Sequence, residues 1–266
     1  MWILLAVLTA LASLSGFSME AASAGPRESG LDFSPTRASL ETLRARGLEP
    51  TGLRPVYPAG VTCRRANSFF ADRTRGDNSM RTPRFYHGFH GGLDIPAPDG
   101  TPILAIADGA VVSKKPGVED GIGGIEIVLQ HAPADTGFPV WLYSQYKHLK
   151  DMPALPVGER VRMGQQIALT GATGTYGHYG PQGSFHLHLT TFASPDDRFE
   201  ARLFFHPPNG SWIDPLAAYR GLPLDTRAVR ALPGDAKSVP IPHLIEGEGV
   251  VPEKSRLIWP YACRRS

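Results

Sequence analysis

Ile103-Leu104-Ala105-Ile106-Ala107 runs into Asp108-Gly109 and then into Ala110-Val111-Val112-Ser113. Two short apolar runs are separated by the turn residues Asp108 and Gly109, which reads as two successive strands. The texture recurs at Ile125 to Gln130, Val140 to Tyr146 and Gln166 to Thr170, each bounded by Gly, Pro or Asp. Such close spacing leaves no length for helical crossovers between strands. The sequence therefore predicts a mainly β domain, an antiparallel sheet of sandwich or barrel type, rather than alternating βα units.

Outside this stretch the texture changes. Ser34-Pro35, then Leu40 and Leu43, then Gly47 predict a short peripheral helix with Ser34 as its N-cap. Residues 48–85 are rich in Pro, Arg, Gly and Asn and read as a loop-rich lead-in. After about Tyr219 the chain is again Pro-rich and polar, ending in Trp259-Pro260-Tyr261-Ala262-Cys263, a tail expected to wrap back over the core. Loop-rich N- and C-terminal extensions thus flank the β domain. The predicted organisation is a signal segment over 1–24, an N-terminal extension over 25–65, the β domain over 66–220 and the tail over 221–266.

The signal reading rests on an apolar run from Trp2 to Phe17, too short for a good membrane span, followed by the small residues Ala22-Ser23-Ala24. A basic residue ahead of that run is missing. Cleavage there implies a periplasmic or secreted protein with no stable membrane insertion. The chain has 266 residues, 42% hydrophobic and 20% charged, and a formal charge of +2 from 27 basic and 25 acidic residues. Loss of residues 1–24 removes one acid, Glu20, and gives 27 minus 24, or +3. That weak basicity suits an anionic polymer, and no Lys/Arg cluster marks a nucleic-acid face. Cys63 and Cys263, the two cysteines, are expected to pair in an oxidising compartment. Closing so long a loop removes denatured-state entropy corresponding to about 5 kcal/mol in the chain model.

Nine histidines occur, and the setting of a few matters. In Phe185-His186-Leu187-His188-Leu189 the alternation puts both imidazoles on one face of a strand and both leucines on the other. Taken alone, this motif fits a metal site or an amphipathic surface strand. In His90-Gly91-Gly92-Leu93-Asp94, the glycines and the following Pro96 and Pro98 disfavour a helix, so 90, 92 and 94 are expected to point the same way, with Gly92 leaving room for an ion. Imidazole plus carboxylate is a normal zinc pair, and one histidine from the other strand makes three protein ligands with a fourth position open. His148 lies near the end of the strand Tyr143 to Leu149. His131 is read as structural or surface, and His87, His178, His206 and His243 lie in loop-like contexts.

In this order, these elements resemble the lysostaphin/LytM-type zinc metallopeptidases, a family of β-rich peptidoglycan endopeptidases. The resemblance covers roughly residues 66–220 and includes connecting text: Ala97-Pro98-Asp99-Gly100-Thr101-Pro102-Ile103, Ala107-Asp108-Gly109-Ala110-Val111, Val157-Gly158-Glu159-Arg160-Val161-Arg162-Met163-Gly164-Gln165, and Thr170-Gly171-Ala172-Thr173-Gly174. It implies one zinc ion bound by His90, Asp94 and His188, with His148 and His186 as catalytic imidazoles. It also implies hydrolysis of peptide cross-links in bacterial cell wall, with wall peptides as substrate and a monomeric enzyme. Two departures stand out: a long loop from Thr175 to Ser184, and Leu189-Thr190 where the family often has an aromatic residue and Glu. Tyr143, Tyr176 and Tyr179 are expected as walls of a substrate groove. The alternatives are a non-catalytic wall-binding or amidase-activating module, and a zinc peptidase acting on glycine-rich protein loops.

Overall fold

The computed structural model describes residues 35–116, 124–175, 184–200 and 207–266. The expected signal segment, Ser34, Tyr176, His178, Tyr179 and His206 lie outside the described residues. Seven strands form the central sheet: β1 (Leu93–Pro96), β2 (Gly109–Lys115), β3 (Glu126–His131), β4 (Trp141–Lys147), β5 (Arg160–Val161), β6 (His186–Ser194) and β7 (Ser211–Ile213). Their order is β7-β6-β4-β3-β2-β5, with β1 also on β6, and every pairing is antiparallel. The expected mainly β, antiparallel architecture is therefore borne out. Among the described residues the sheet is open and does not close into a barrel.

Most of the apolar runs became strands because their alternation divides two cores, whereas of Ile103 to Ala107 only Ile103 and Leu104 lie in a strand. On one face lie Leu93, Ile95, Val111, Ile127, Leu129, Leu142, Tyr146, Leu187 and Leu189, all fully buried. On the other lie Val128, Tyr143, Phe192 and Trp212, covered by Leu43, Leu48 and Phe70 from the N-terminal segment. Burying a side chain such as Leu187 contributes roughly 1.5–3 kcal/mol, and slipping β6 by one residue would exchange its leucines for its histidines. This penalty fixes the register that the site depends on.

β6 is the organising strand. One edge pairs with β4 along seven residues, from His188 opposite Lys147 to Ser194 opposite Trp141. The other edge is shared, with β1 opposite His186 to Leu189 and β7 opposite Thr191 to Ala193. A separate irregular pair, Pro102–Leu104 with Gln166–Leu169, packs into the first core.

The N-terminal helix spans Leu40–Ala45, and its N-cap is Ser39, whose hydroxyl accepts from the Thr42 amide at 3.0 Å. This corrects the expected cap at Ser34. Glu41 in the first turn and the Ser39 hydroxyl both favour the later start. The tail does return to the core: Trp259 is buried and donates to the Arg64 carbonyl, the Ile258 amide donates to the Ile106 carbonyl, and Cys263 is bonded to Cys63. None of the described helices is long and apolar enough to cross a membrane.

Candidate metal centre

His90 precedes β1 and is not on the strand. Its backbone is held by two bonds, Ala71 N–H to the His90 carbonyl at 2.8 Å and His90 N–H to the Asp72 carbonyl at 3.1 Å. Asp94, the second residue of β1, stands opposite His188 on β6. Gly92 does not make room for an ion as expected. A Cβ there would lie 2.3 Å from the Leu189 carbonyl oxygen and 2.9 Å from His188 Nε2, so the missing side chain admits β6 itself.

His90 Nε2, His188 Nδ1 and Asp94 Oδ1 lie 2.9–3.0 Å from one another. The far nitrogen of each ring is committed elsewhere. His90 Nδ1–H donates to the Phe69 carbonyl at 2.9 Å, and His188 Nε2 is hydrogen-bonded to Thr190 Oγ1 at 3.0 Å. Two imidazole nitrogens and a carboxylate oxygen therefore converge at hydrogen-bond distance. Among the described residues these three could hold a metal ion together, and two nitrogens with one oxygen are a normal donor set for zinc. The second carboxylate oxygen of Asp94 accepts from Arg81 Nη2 at 2.9 Å, and the same Nη2 donates to Ser68 Oγ at 2.8 Å.

Electrostatics agree with an anionic, imidazole-rich centre. Burial pushes the Asp94 carboxyl up, but its neighbours His90 and His186 and bonds from His188 and His90 outweigh this and hold it well below the carboxylate range. Burial lowers His188 to about 3 and also lowers His90, with Asp94 opposing in each case. Both rings are thus neutral, the form that binds a metal.

Two more imidazoles flank the triad. His148 follows directly on β4 and has a left-handed φ of 63°. Its ring centroid lies 4.7 Å from that of His186 and 5.8 Å from that of His188. His186 Nε2 is 3.7 Å from Asp94 Oδ1. His148 Nδ1–H donates to the Thr173 carbonyl at 2.8 Å, and His186 Nδ1–H donates to the Ser184 carbonyl at 2.6 Å. Each ring therefore presents Nε2 as an acceptor. Burial, then repulsion from His186 and His188, puts His148 well below the ordinary imidazole range.

All five residues singled out in the sequence come together. His131 is structural, its nitrogens bonded to the Asp108 carbonyl and Ser144 Oγ at 2.6 and 2.7 Å. His87 bonds the Ala38 carbonyl and His243 the Ile241 carbonyl. Tyr143 is not a groove wall: it is fully buried in the second core, stacks on Phe199 and accepts from Gln130. Arg81 and Ser68 escaped the sequence reading, because the lead-in that carries them has no periodicity to place them.

Among the described residues, His90, Asp94 and His188 thus form a His-Asp-His cluster with two further imidazoles beside it on an open antiparallel sheet. Residues 88–196 carry a match to Peptidase family M23, a span that includes all five residues, so the resemblance to LytM-type zinc metallopeptidases is borne out. The chain is also 34% identical over 85 residues to an uncharacterized metalloprotease of Buchnera aphidicola subsp. Baizongia pistaciae (strain Bp). That stretch is 32% of this chain but 20% of the relative, so the chain spans a fifth of its length. Among solved structures, it is similar to the catalytic domain of the antimicrobial peptidase lysostaphin from Staphylococcus simulans, with 27% identity, 48% of this chain and 77% of that chain covered, and a TM-score of 0.34. A zinc containing peptidase from Vibrio cholerae gives 25% identity, 52% and 35% coverage, and a TM-score of 0.36.

Proposed function

We propose that the protein is a zinc-dependent endopeptidase that hydrolyses peptide cross-links of bacterial peptidoglycan outside the cytoplasm, with residues 66–220 as its catalytic domain. The observation that carries this reading is the convergence of three ligand-type atoms, His90 Nε2, His188 Nδ1 and Asp94 Oδ1, beside two imidazoles anchored to backbone carbonyls through Nδ1. One zinc ion held there supplies a Lewis acid for the scissile carbonyl and increases the acidity of water near neutral pH.

The chain's own residues do the rest. His148 and His186, anchored through Nδ1–H, turn Nε2 toward the site to accept a proton from the attacking water and return it to the leaving amine. Their fixed rings also orient the scissile amide, because a ring bonded at one nitrogen to a backbone carbonyl cannot rotate freely. Asp94, kept ionised and bonded to Arg81, balances the charge of the cation.

The test is release of soluble peptides from purified peptidoglycan, followed by mass spectrometry, with zinc-loaded protein and the His188→Ala variant in parallel. Metal-dependent products that vanish in the variant support the reading and identify the scissile bond. Absence of products from the zinc-loaded wild type would overturn it in favour of a wall-binding role.

A further inference from the structure

The sheet face that carries the metal centre continues sideways as a row of charged residues. His188 on β6 stands opposite Lys147 on β4, Lys147 opposite Glu126 on β3, and Glu126 opposite Lys115 on β2. Directly opposed residues share a face, so Lys147, Glu126 and Lys115 line up beyond His188 at about 5 Å per strand. Charges buried in a sheet are costly unless they are paired, and this row is incompletely paired. Lys147 Nζ lies 3.8 Å from Glu126 Oε2, an ion contact too long for a hydrogen bond, so the ammonium keeps its donors. Glu126 Oε1 and Lys115 Nζ are buried and have no hydrogen-bond partner among the described residues. The Glu126 side chain is only 7% exposed, whereas that of Lys147 is 21% exposed and reaches solvent beside the metal centre.

Lys147 and Lys115 both stand opposite the one carboxylate of Glu126 in the strand register, so the row holds one more lysine than acid. Nothing in the proposed chemistry at His90, Asp94, His188, His148 and His186 uses these groups. The accessible member is Lys147, one strand from His188. In an extended peptide, which rises about 3.3 Å per residue, that offset corresponds to one or two residues from the scissile bond.

We propose that Lys147, held in place by Glu126, is a specificity-determining residue that binds a free carboxylate on the wall peptide one or two residues from the scissile bond. This rests on the reading of the protein as a peptidoglycan endopeptidase. The carboxylate supplies the anion that the row lacks, and Glu126 keeps the ammonium from swinging toward Asp94. A charge-assisted bond of this kind corresponds to a preference of about tenfold.

The experiment compares peptide release from purified peptidoglycan and from the same material after its carboxylates have been converted to carboxamides. Zinc-loaded wild type is expected to cut untreated wall about tenfold faster. In Lys147→Met the ratio of the two rates is expected to fall to about one, and in Lys147→Arg to recover most of its value. Equal rates for the wild type on both walls would overturn the inference while leaving the endopeptidase reading in place, and so would an unchanged ratio in Lys147→Met. Failure of the zinc-loaded wild type to cut either wall would overturn the reading itself, and the inference with it. The wild-type comparison decides the matter even if Lys147→Met does not fold.

Discussion

His131 and His188 are both imidazoles sunk into the same antiparallel sheet, and burial holds both neutral, His131 at about 4 and His188 at about 3. They differ in what their nitrogens face. Both nitrogens of His131 meet groups that complete a hydrogen bond, the Asp108 carbonyl and the Ser144 hydroxyl. His188 completes one bond, to Thr190, and turns its other nitrogen toward His90 Nε2 and Asp94 Oδ1, two more acceptors. Burial by itself is thus no mark of function. What separates the sites is their company: His131 closes a structural network, whereas His188 faces two further ligand-type atoms, the set proposed to hold zinc.

Substitution should separate the two most sharply. His188→Ala removes a proposed metal ligand, and on that reading wall hydrolysis is expected to fall by at least about a thousandfold, with bound zinc dropping toward zero by atomic absorption. His131→Asn should retain its zinc and instead lose about 2–4 kcal/mol of stability in urea unfolding, because Ser144 and the Asp108 carbonyl lose a shaped partner. Zinc loss in His131→Asn at a temperature where it remains folded would break the comparison.

Titration sharpens it further. The unfolded chain protonates His131 near pH 6.5, whereas the folded chain protonates it near 4. Between these values the unfolded state binds the extra proton, so the stability this group contributes is full above 6.5 and is lost as pH falls toward 4. The loss is about 3 kcal/mol. Asp214 runs the other way: burial, opposed by its bonds from Thr51 and the Leu216 amide, raises it to about 6. Its contribution is full below about 4 and is lost as pH rises through 6. In zinc-free protein, His131→Asn should therefore flatten the rise of stability between pH 4 and 6.5, and Asp214→Asn should steepen it. Unfolding curves at several pH values check both signs.

Much of this was legible in the sequence, for a reason that also marks its limit. Alternation within one strand is local, so Leu187 and Leu189 predicted which face of β6 is apolar and which carries His186 and His188. The strands expected at 110–113, 125–130 and 140–146 were legible in the same way, whereas the run at 103–107 is strand only at Ile103 and Leu104. What crosses between elements was not. Tyr143 has the exposed-face parity of the histidines, yet Leu43, Leu48 and Phe70 arrive from the N-terminal segment and bury it. Gly92 was expected to leave space for an ion, but which backbone fills that space depends on the pairing of β1 with β6. The row from His188 to Lys115 exists only in the lateral register of four strands, and Arg81 reaches Asp94 from thirteen residues upstream in a lead-in without a period. Helix caps failed more narrowly: Ser39, not Ser34, carries the cap.

The smallest effect concerns how the open network is held. Thr190 stands where the resembled family often carries Glu, and its hydroxyl is the acceptor for His188 Nε2–H. A neutral hydroxyl fixes the tautomer that exposes Nδ1 but adds less electron density to the ring than a carboxylate would. Thr190→Val keeps the shape of the buried side chain and deletes the acceptor, leaving the ring free to take the other tautomer. Zinc affinity is expected to fall about tenfold in competition with a chromogenic chelator, with little change in urea stability of the zinc-free chain. Thr190→Glu should raise affinity above wild type if the buried position admits the longer side chain. An unchanged affinity in Thr190→Val would mean that Asp94 and the pairing of β1 with β6 already fix the His188 ring, and that its second bond is no more functional than those of His131.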